Sequence, residues 1–555
     1  MTAQTPLQRI RDLIDLERED IGTLVVYGVG IGFLSLAMPI AVQSLVNIVA
    51  FGALLQPLIV LTLVVLVVVT FSNILIAFQF YVVEMLQRRL FIRVFCDGAL
   101  RLQQAHIAIR DDNYVPKLAN YFFDVVVLQK TVTGLLLEAL AYSLQTMIGM
   151  ALLAFYHPLL LAFDIFVITM LALILFSMSK NGVETAILQS KAKYDAAAWL
   201  TNIAINPLLG RSASDSAFFK AQTERIAHSY LDASVQHFRI LARQNLSALV
   251  LHALASTMLL GMGGWMVIER QLSLGQLIAA ELVVNAMIYG LLRLGKLLDG
   301  YYELLTSVDK MGHLHDLPQE SNQGATLKAP DKPYQVDIYC ASLPESPYLD
   351  VLRGLDLSLA PGDKLVISEG VNRGSLLDVL FGLRATSSGY VCLDNHDLRD
   401  LNLGLLRDNI CLVRDAEIVE ASILDNLCLS REFELLALRQ VLEQVGLLDT
   451  VAALPAGMNS ILCANGAPLT VEQSLRLTLA RAIVRRPRLL LLDGVLDRVD
   501  QRVLSTLLDN LLAADAPWTL VVTSHDSQVI ARCQRRARIE SGVLIETTTE
   551  DHGKY

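Results

Sequence analysis

The sequence predicts an all-α membrane domain of six helices followed by a cytoplasmic α/β domain. Three observations carry this. Hydrophobic residues make up 54% of the 555 and charged residues only 18%, a balance too apolar for an ordinary soluble chain. From 21 to 83 there is no Asp, Glu, Lys, Arg or His. Beyond about 320, short strand-like runs alternate with amphipathic helical ones. A chain of this length also exceeds what one core sustains, so two or more domains are expected.

The membrane helices follow in order. A bilayer core takes about 20 apolar residues per helix, so the uncharged run holds two spans and a turn. They are about 21–50 and 57–83, with the turn near 51–57, where Gly52 and Pro57 interrupt. A second pair is expected at about 132–155 and 159–178, hinged at Tyr156-His157-Pro158. The third is at about 246–268 and 274–292, joined by the polar turn ERQLSLGQ, so the membrane domain fills 1–310. Basic residues set the orientation. Arg88, Arg89, Arg93, Arg101, Arg110, Lys117 and Lys130 lie between spans two and three, and a similar group from Lys180 to Arg243 between spans four and five. The opposite loops carry only Glu269 and Arg270, which puts both long segments and both termini in the cytoplasm. The amphipathic, mixed-charge start MTAQTPLQRIRDLIDLERED does not read as a cleavable signal peptide.

The cytoplasmic segments, about 84–130 and 179–245, keep heptad-like apolar spacing, so spans two through five should continue as long helices. Each pair is broken by a polar, proline-bearing stretch, RDDNYVPKLANYFFD and AINPLLGRSASDS, suited to short transverse helices. Three acids fall in or near the spans. Glu138 and Asp164 read as hydrated near an interface, whereas Glu281, with Asn285 in AAELVVNAM, is a candidate lining of a substrate pathway.

The net charge of -10 is spread along the chain without a basic block, which argues against nucleic acid as a partner. The 7 cysteines form no close CxxC pair and read as reduced, structural thiols.

A linker at 311–333 leads into the cytoplasmic domain, 334–555. Its strand-like runs are KLVIS, YVCLD, ICLV, RLLLLD and WTLVVTS, and the alternation with helical runs argues a largely parallel sheet. Ligands in such folds sit at the carboxyl ends of strands. One such end is ISEGVNRGSLL, from Ile367 to Leu377, where glycines turn the chain from a strand into a helix. That is the frame of a phosphate-binding loop, yet no lysine lies between Leu365 and Leu383.

The run LRLTLARAIVRRPRLLLLDGVLDRVD, followed by TLVVTSHD, resembles the signature helix, Walker B strand, D-loop and H-loop of ABC ATPase domains. With six spans and long cytoplasmic extensions before it, the chain resembles an ABC exporter half-transporter, nearest to the ABC subunits of type I secretion systems. The resemblance implies ATP and magnesium as cofactors. It also implies a second ABC half-transporter subunit, in a homodimer or heterodimer, a periplasmic adaptor protein, and a place in the bacterial inner membrane.

Departures from that family's pattern are concentrated at the nucleotide site. In the family the phosphate loop reads GxxGxGK[ST][ST], its amides cradling phosphate and its lysine reaching the outer oxygens. Here the loop is about two residues shorter; Gly370, Asn372, Arg373, Gly374 and Ser375 occupy it, with Arg373 its only cation and Glu369 adding negative charge. The glutamine expected after ICLV is Arg414. Asp493 keeps the Walker B carboxylate, but Gly494 replaces the general base. No aromatic falls at 343–345, where one should stack on adenine; Tyr339 and Tyr348 are near misses. His525 and Asp500 remain at the H-loop and D-loop. The signature LSGGQ has become Leu469, Thr470, Val471, Glu472 and Gln473, a self-capping helix start with a carboxylate where phosphate should approach. The expectation is an exporter subunit with a degenerate nucleotide site, in which ATP binds weakly or without hydrolysis. The alternative is a non-hydrolytic membrane scaffold or regulator on the same fold. Arg373 and Arg414 are then either solvated loop charges or neutralisers of a nucleotide that is not turned over.

Overall fold

The computed structural model describes residues 6–50, 55–107, 120–177, 181–320, 323–327, 332–343, 352–370 and 372–547. The chain divides into two compact units, one of residues 1–105 and 113–318, the other of 106–112 and 319–555.

The first unit is helical. Short α1 (Pro6–Leu16) precedes α2 (Arg18–Ser35) and α3 (Ala37–Ala50), so the first apolar run is two helices meeting at Leu36. Pro39 in the first turn of α3 supplies the reason, because it lacks an N–H for the preceding turn. Helix α4 (Leu55–Gln103) runs unbroken for 49 residues. At 1.5 Å per residue that is about 74 Å, against about 30 Å of bilayer hydrocarbon. Helix α5 (Asp124–Gly134) passes through a π turn, Leu135–Ala139, into α6 (Leu140–Tyr156). At His157 the backbone is extended (φ -160°, ψ 142°), as the residue before a proline prefers, and α7 (Pro158–Ser177) follows. Helices α8 (Gly182–Ile205), α9 (Ala213–Ile268) and α10 (Leu274–His315) complete the unit. The ERQLSLGQ turn ends in a capping box: Gln276 N–H donates to Ser273 Oγ at 3.1 Å, and Ser273 N–H to Gln276 Oε1 at 2.8 Å.

Four helical stretches among the described residues, Arg18–Val49, Leu55–Gln103, Tyr121–Tyr156 and Ala213–Ile268, are long and apolar enough to cross a membrane. Two shorter apolar stretches, Pro158–Leu171 and Leu274–Met287, stand where the fourth and sixth spans are expected. Helix α10 continues to His315, into the stretch read as linker. Much of the first polar break, 108–119, lies outside the described residues; in the second, Ser212 accepts from Asp215 N–H and caps α9.

The second unit holds two sheets. The six-stranded sheet runs β10-β9-β3-β8-β7-β6, with β3 (Lys364–Glu369), β6 (Ile410–Val413), β7 (Leu489–Asp493), β8 (Thr519–Thr523) and β9 (Arg535–Glu540) parallel and β10 (Val543–Thr547) antiparallel at the edge. The period-two pleat sends alternate residues to opposite faces. Leu490, Leu492, Leu520 and Val522 join one core, while Leu489, Leu491, Val521 and Ile367 join the other. Both faces are covered, as a parallel sheet requires, and each leucine so buried contributes about 2 kcal/mol. The second sheet is four-stranded and antiparallel, β2-β1-β4-β5: β1 (Val336–Ser342), β2 (Leu355–Leu359), β4 (Ser388–Leu393) and β5 (His396–Asp397). YVCLD therefore belongs to β4 of the antiparallel sheet, a correction to its expected place among the parallel strands. Helix α11 (Arg373–Leu380) follows β3, and α12 (Val471–Val484) packs its apolar face into the first core.

Candidate nucleotide site

Strand register brings the site together. Val413 of β6 is level with Leu492 of β7, so Arg414 leaves its strand beside Asp493. Asp493 is in turn level with Thr523 of β8, and Thr523 with Ile367 of β3. The loop entering α11, Arg414, Asp493, Gly494 and His525 thus meet at one row of carboxyl ends.

What they do there is bind one another. Asp493 Oδ2 accepts from Arg414 Nε at 2.5 Å, and Asp493 Oδ1 accepts from Thr523 Oγ1 at 2.7 Å. Arg414 Nη2 donates to Asp378 Oδ1 at 2.8 Å and to the Gly374 carbonyl at 3.1 Å. Asp378 is buried on α11 and also accepts from Arg384 Nε at 3.0 Å. The guanidinium thereby ties the end of β7 to the first turns of α11. Burial works against its charge, but Asp378 and Asp493 outweigh that and hold its pKa above the ordinary arginine value. Space there is tight: a Cβ on Gly374 would stand 2.6 Å from Asp493 Oδ2 and 3.2 Å from Arg414 Nη2.

Arg373 turns back onto its own strand. Its Nη1 donates to the carbonyls of Ser368 at 2.9 Å and Ile367 at 3.2 Å, and its Nη2 donates to His525 Nε2 at 2.6 Å. Gly370 is held at φ +116°, and a Cβ there would lie 2.4 Å from the Ile539 carbonyl oxygen, so only glycine fits. Asn372 takes the left-handed N-cap of α11 at φ 60°, and Ser375 is buried behind it. Gly494, at φ +63°, donates its N–H to Thr523 Oγ1 at 2.9 Å and presents no side chain. Asp497 organises the H-loop from below, accepting the Ser524 hydroxyl and the His525 N–H at 3.1 Å.

The residues present do not fit a magnesium nucleotide. Magnesium is held through carboxylates it shares with phosphate oxygens, and both oxygens of Asp493 are already engaged. The two arginines that could meet a phosphate are spent on Asp493, Asp378 and backbone carbonyls.

The signature-like stretch is closed in the same way. Gln473 N–H donates to Thr470 Oγ1 at 3.2 Å and Thr470 N–H to Gln473 Oε1 at 2.9 Å, so the two ends of the turn cap each other. Glu472 pairs with Arg476 Nε at 2.7 Å and accepts the Asp500 N–H at 3.3 Å. Asp500 caps the next helix through Arg502 N–H at 2.8 Å. Leu469 is buried, and Val471 is 78% exposed where a close backbone approach would be needed. Tyr339 packs at a tilt of 33° against its cross-strand neighbour Tyr390, 4.9 Å between centroids; Tyr348 lies outside the described residues.

In the first unit, Glu281 and Asn285 are both exposed on α10, and Tyr289 and Arg293 continue the same four-residue spacing, also exposed. Arg293 Nη1 meets Glu138 Oε2 at 3.3 Å, and its Nη2 donates to the Tyr289 hydroxyl at 3.2 Å. Glu138 is thus ion-paired, on the π turn. Asp164 corrects the expectation of a hydrated site: it is 2% exposed, and neither carboxylate oxygen has a hydrogen-bond partner among the described residues.

Sequence reasoning missed Asp378 and Asp497. The first was visible as an acid inside the apolar run LLDVLFGL; the second had no signal beyond lying after the Walker B strand.

No family model matches the chain. It is 25% identical over 294 residues to the alpha-hemolysin translocation ATP-binding protein HlyB of Proteus vulgaris. It is 26% identical over 296 residues to the exotoxin translocation ATP-binding protein PaxB of Pasteurella aerogenes, and 26% over 298 residues to the leukotoxin translocation ATP-binding protein LktB of Mannheimia glucosida. Each match covers 52% of this chain and 41% of the relative, less than half of the relative's length. Among solved structures, a bacterial Atm1-family ABC exporter with ATP bound superposes with a TM-score of 0.82 at 17% identity, covering 96% of this chain and 95% of that one. The chain has the ABC exporter fold, a helical transmembrane part joined to an α/β domain.

Proposed function

We propose that this chain is a subunit of an ABC-type exporter in the bacterial inner membrane whose own nucleotide-binding half does not hydrolyse ATP. It works with a second ABC half-transporter subunit to move a substrate outward, with a periplasmic adaptor as a further partner. The observation that carries the reading is the Arg414–Asp493–Asp378 cluster, in which the chain's own guanidinium ties up the carboxylate that magnesium would need. Gly494 supports it, since no carboxylate follows Asp493 to polarise an attacking water. The export role is supported by the fold and by relatives named for translocating hemolysin, exotoxin and leukotoxin, which makes polypeptide the favoured cargo class. The exposed polar face of α10, with Glu281 and Asn285, supplies a candidate substrate pathway.

One observation favours the scaffold reading beside it. In the resembled family each composite site joins one chain's phosphate loop to the other's signature, and this chain closes both of its contributions. A competent partner would then lack half of each site.

The test is purification from native membranes followed by ATPase assay, alone and with any co-purifying ABC subunit. The isolated chain is expected to show no magnesium-dependent turnover above a blank. Brisk turnover that disappears in Asp493→Ala overturns the proposal. Recovery of an ABC partner with activity in the complex selects export; a lone, inactive homodimer selects the scaffold.

A further inference from the structure

Helix α1 lies along the helical unit over an apolar hollow. A cavity of about 390 Å³ separates it from Leu90 and Val94 of α4, Leu128 of α5, and Val308, Met311 and Leu314 of α10. A second, of about 170 Å³, continues past Leu90 and Leu128 to Ile10 and Ile14 of α1, with Glu17 its one polar lining residue among those described. Close packing supplies the dispersion contacts that hold a helix on a core, and a gap forfeits them. The apolar side of α1 is therefore only partly used, and Ile14 and Leu16 stand 48% and 58% exposed.

Ion pairs at its two ends hold it instead. At the start, Arg9 pairs with Asp316, the residue that closes α10. Gly312 makes room for this, since a Cβ there would overlap the guanidinium. The fit is incomplete, because Arg9 Nε is buried with no acceptor among the described residues. At the other end, Glu17 accepts from Arg93 Nη1 of α4 at 2.9 Å and lies 3.8 Å from Arg89 Nη1, while Asp20 of α2 accepts from Arg89. Arg89 and Arg93 keep 48% and 45% of their side chains exposed, and Asp316 41%. Pairs this open to water are weak singly and are screened by salt. Glu17 is also where the backbone leaves the helix between α1 and α2, at φ -108° and ψ 24°, which gives α1 a pivot that leaves α2 intact.

We propose that α1 is a detachable clasp: its ion pairs bind the end of α10 to α4, and screening them swings it off the hollow about Glu17. Lifted, it uncovers Leu128 and Val308, which are 1% and 4% exposed beneath it. It also removes a link between α4 and α10, leaving the contact of Arg101 and Asp97 with His315. A clasp of this kind answers to ionic strength and to nothing at the strand ends of the second unit, so it stands or falls without the nucleotide reading.

Hydrogen exchange tests this on the full chain, purified in detergent, at about 0.05 M and about 1 M sodium chloride. Amides of 6–16 are expected to exchange about tenfold faster at the higher salt, with 60–80 of α4 unchanged. Arg9→Gln combined with Glu17→Gln should show the fast rate at both concentrations. In Val308→Cys, maleimide labelling of that site, read on its own peptide by mass spectrometry, should rise about tenfold with salt. Equal exchange of 6–16 at both concentrations in the wild type overturns the inference. Slow exchange at both would mean an apolar seat, which sodium chloride does not loosen, and fast exchange at both would mean a helix that the pairs do not hold. Acceleration shared by the whole helical unit, low-salt protection kept in the double variant, or labelling at 308 that ignores salt overturns it equally.

Discussion

Arg414 changes what Asp493 is. In a site built for a metal, a strand-end carboxylate waits for a cation from solution; here the cation is covalently part of the next strand. The pair is reinforced by Asp378, so removing the guanidinium takes a partner from two carboxylates at once, leaving Asp378, 3% exposed, to Arg384 and Asp493 to the Thr523 hydroxyl. Breaking a buried pair in this way costs about 3–5 kcal/mol, and because Arg414 keeps 37% of its side chain exposed the expected loss lies nearer ~2 kcal/mol. Arg414→Gln should therefore lower stability by that amount in denaturant titration of the purified chain. A change within error would show the cluster to be incidental.

At the scale of single elements, α12 is the clearest case of a helix start made for itself. Its capping box satisfies first-turn N–H groups without any anion. Thr470→Ala should cost about 1 kcal/mol in the same titration. Strand β3 offers a second test. Lys364 is buried, donates to the Trp518 carbonyl at 2.6 Å, and burial depresses its pKa from 10.5 to about 8. Between about 8 and 10.5 the unfolded chain binds more protons at this site than the folded one, so stability should rise with pH across that window. The wild-type minus Lys364→Met difference in melting temperature should grow more favourable to wild type from pH 8 to pH 10; a flat difference would remove Lys364 as the source. Elements were also where the sequence was most legible. KLVIS, ICLV, RLLLLD and WTLVVTS became β3, β6, β7 and β8 because unbroken apolar runs have no other home than a doubly covered sheet. Strand β1 carries a weak alternation because its pairing is bulged, whereas β2, LDLSL, alternates strictly but is only five residues long. The break at Leu36 was masked by an apolar run that reads as one span until Pro39 is given its backbone consequence. Of the site, the absence of the resembled family's lysine, glutamine and glutamate, and Arg414 and Gly494 at two of those positions, could be read directly; the bonds these residues make could not. That Arg414 meets Asp493 depends on β6–β7 register, which no local pattern specifies.

For the whole molecule, the chain has the ABC exporter fold, and at its candidate nucleotide site Arg414 and Arg373 are bonded to the chain's own carboxylates and carbonyls. A ligand that binds only the folded state stabilises it by mass action, by about 2.7 kcal/mol at a hundredfold excess over Kd. Millimolar magnesium-ATP is accordingly expected to leave the melting temperature of the purified chain unchanged within about 1 °C. A clear, saturable rise would mean the arginine ties open for nucleotide.

The unbroken course of Leu55–Gln103 has a mechanical corollary. An α-helix this long behaves as a lever, and a tilt of about 5° at one tip sweeps the other through about 6 Å. Small rearrangements of side chains near Leu55 are thereby magnified at Gln103, with no hinge residue required along the shaft.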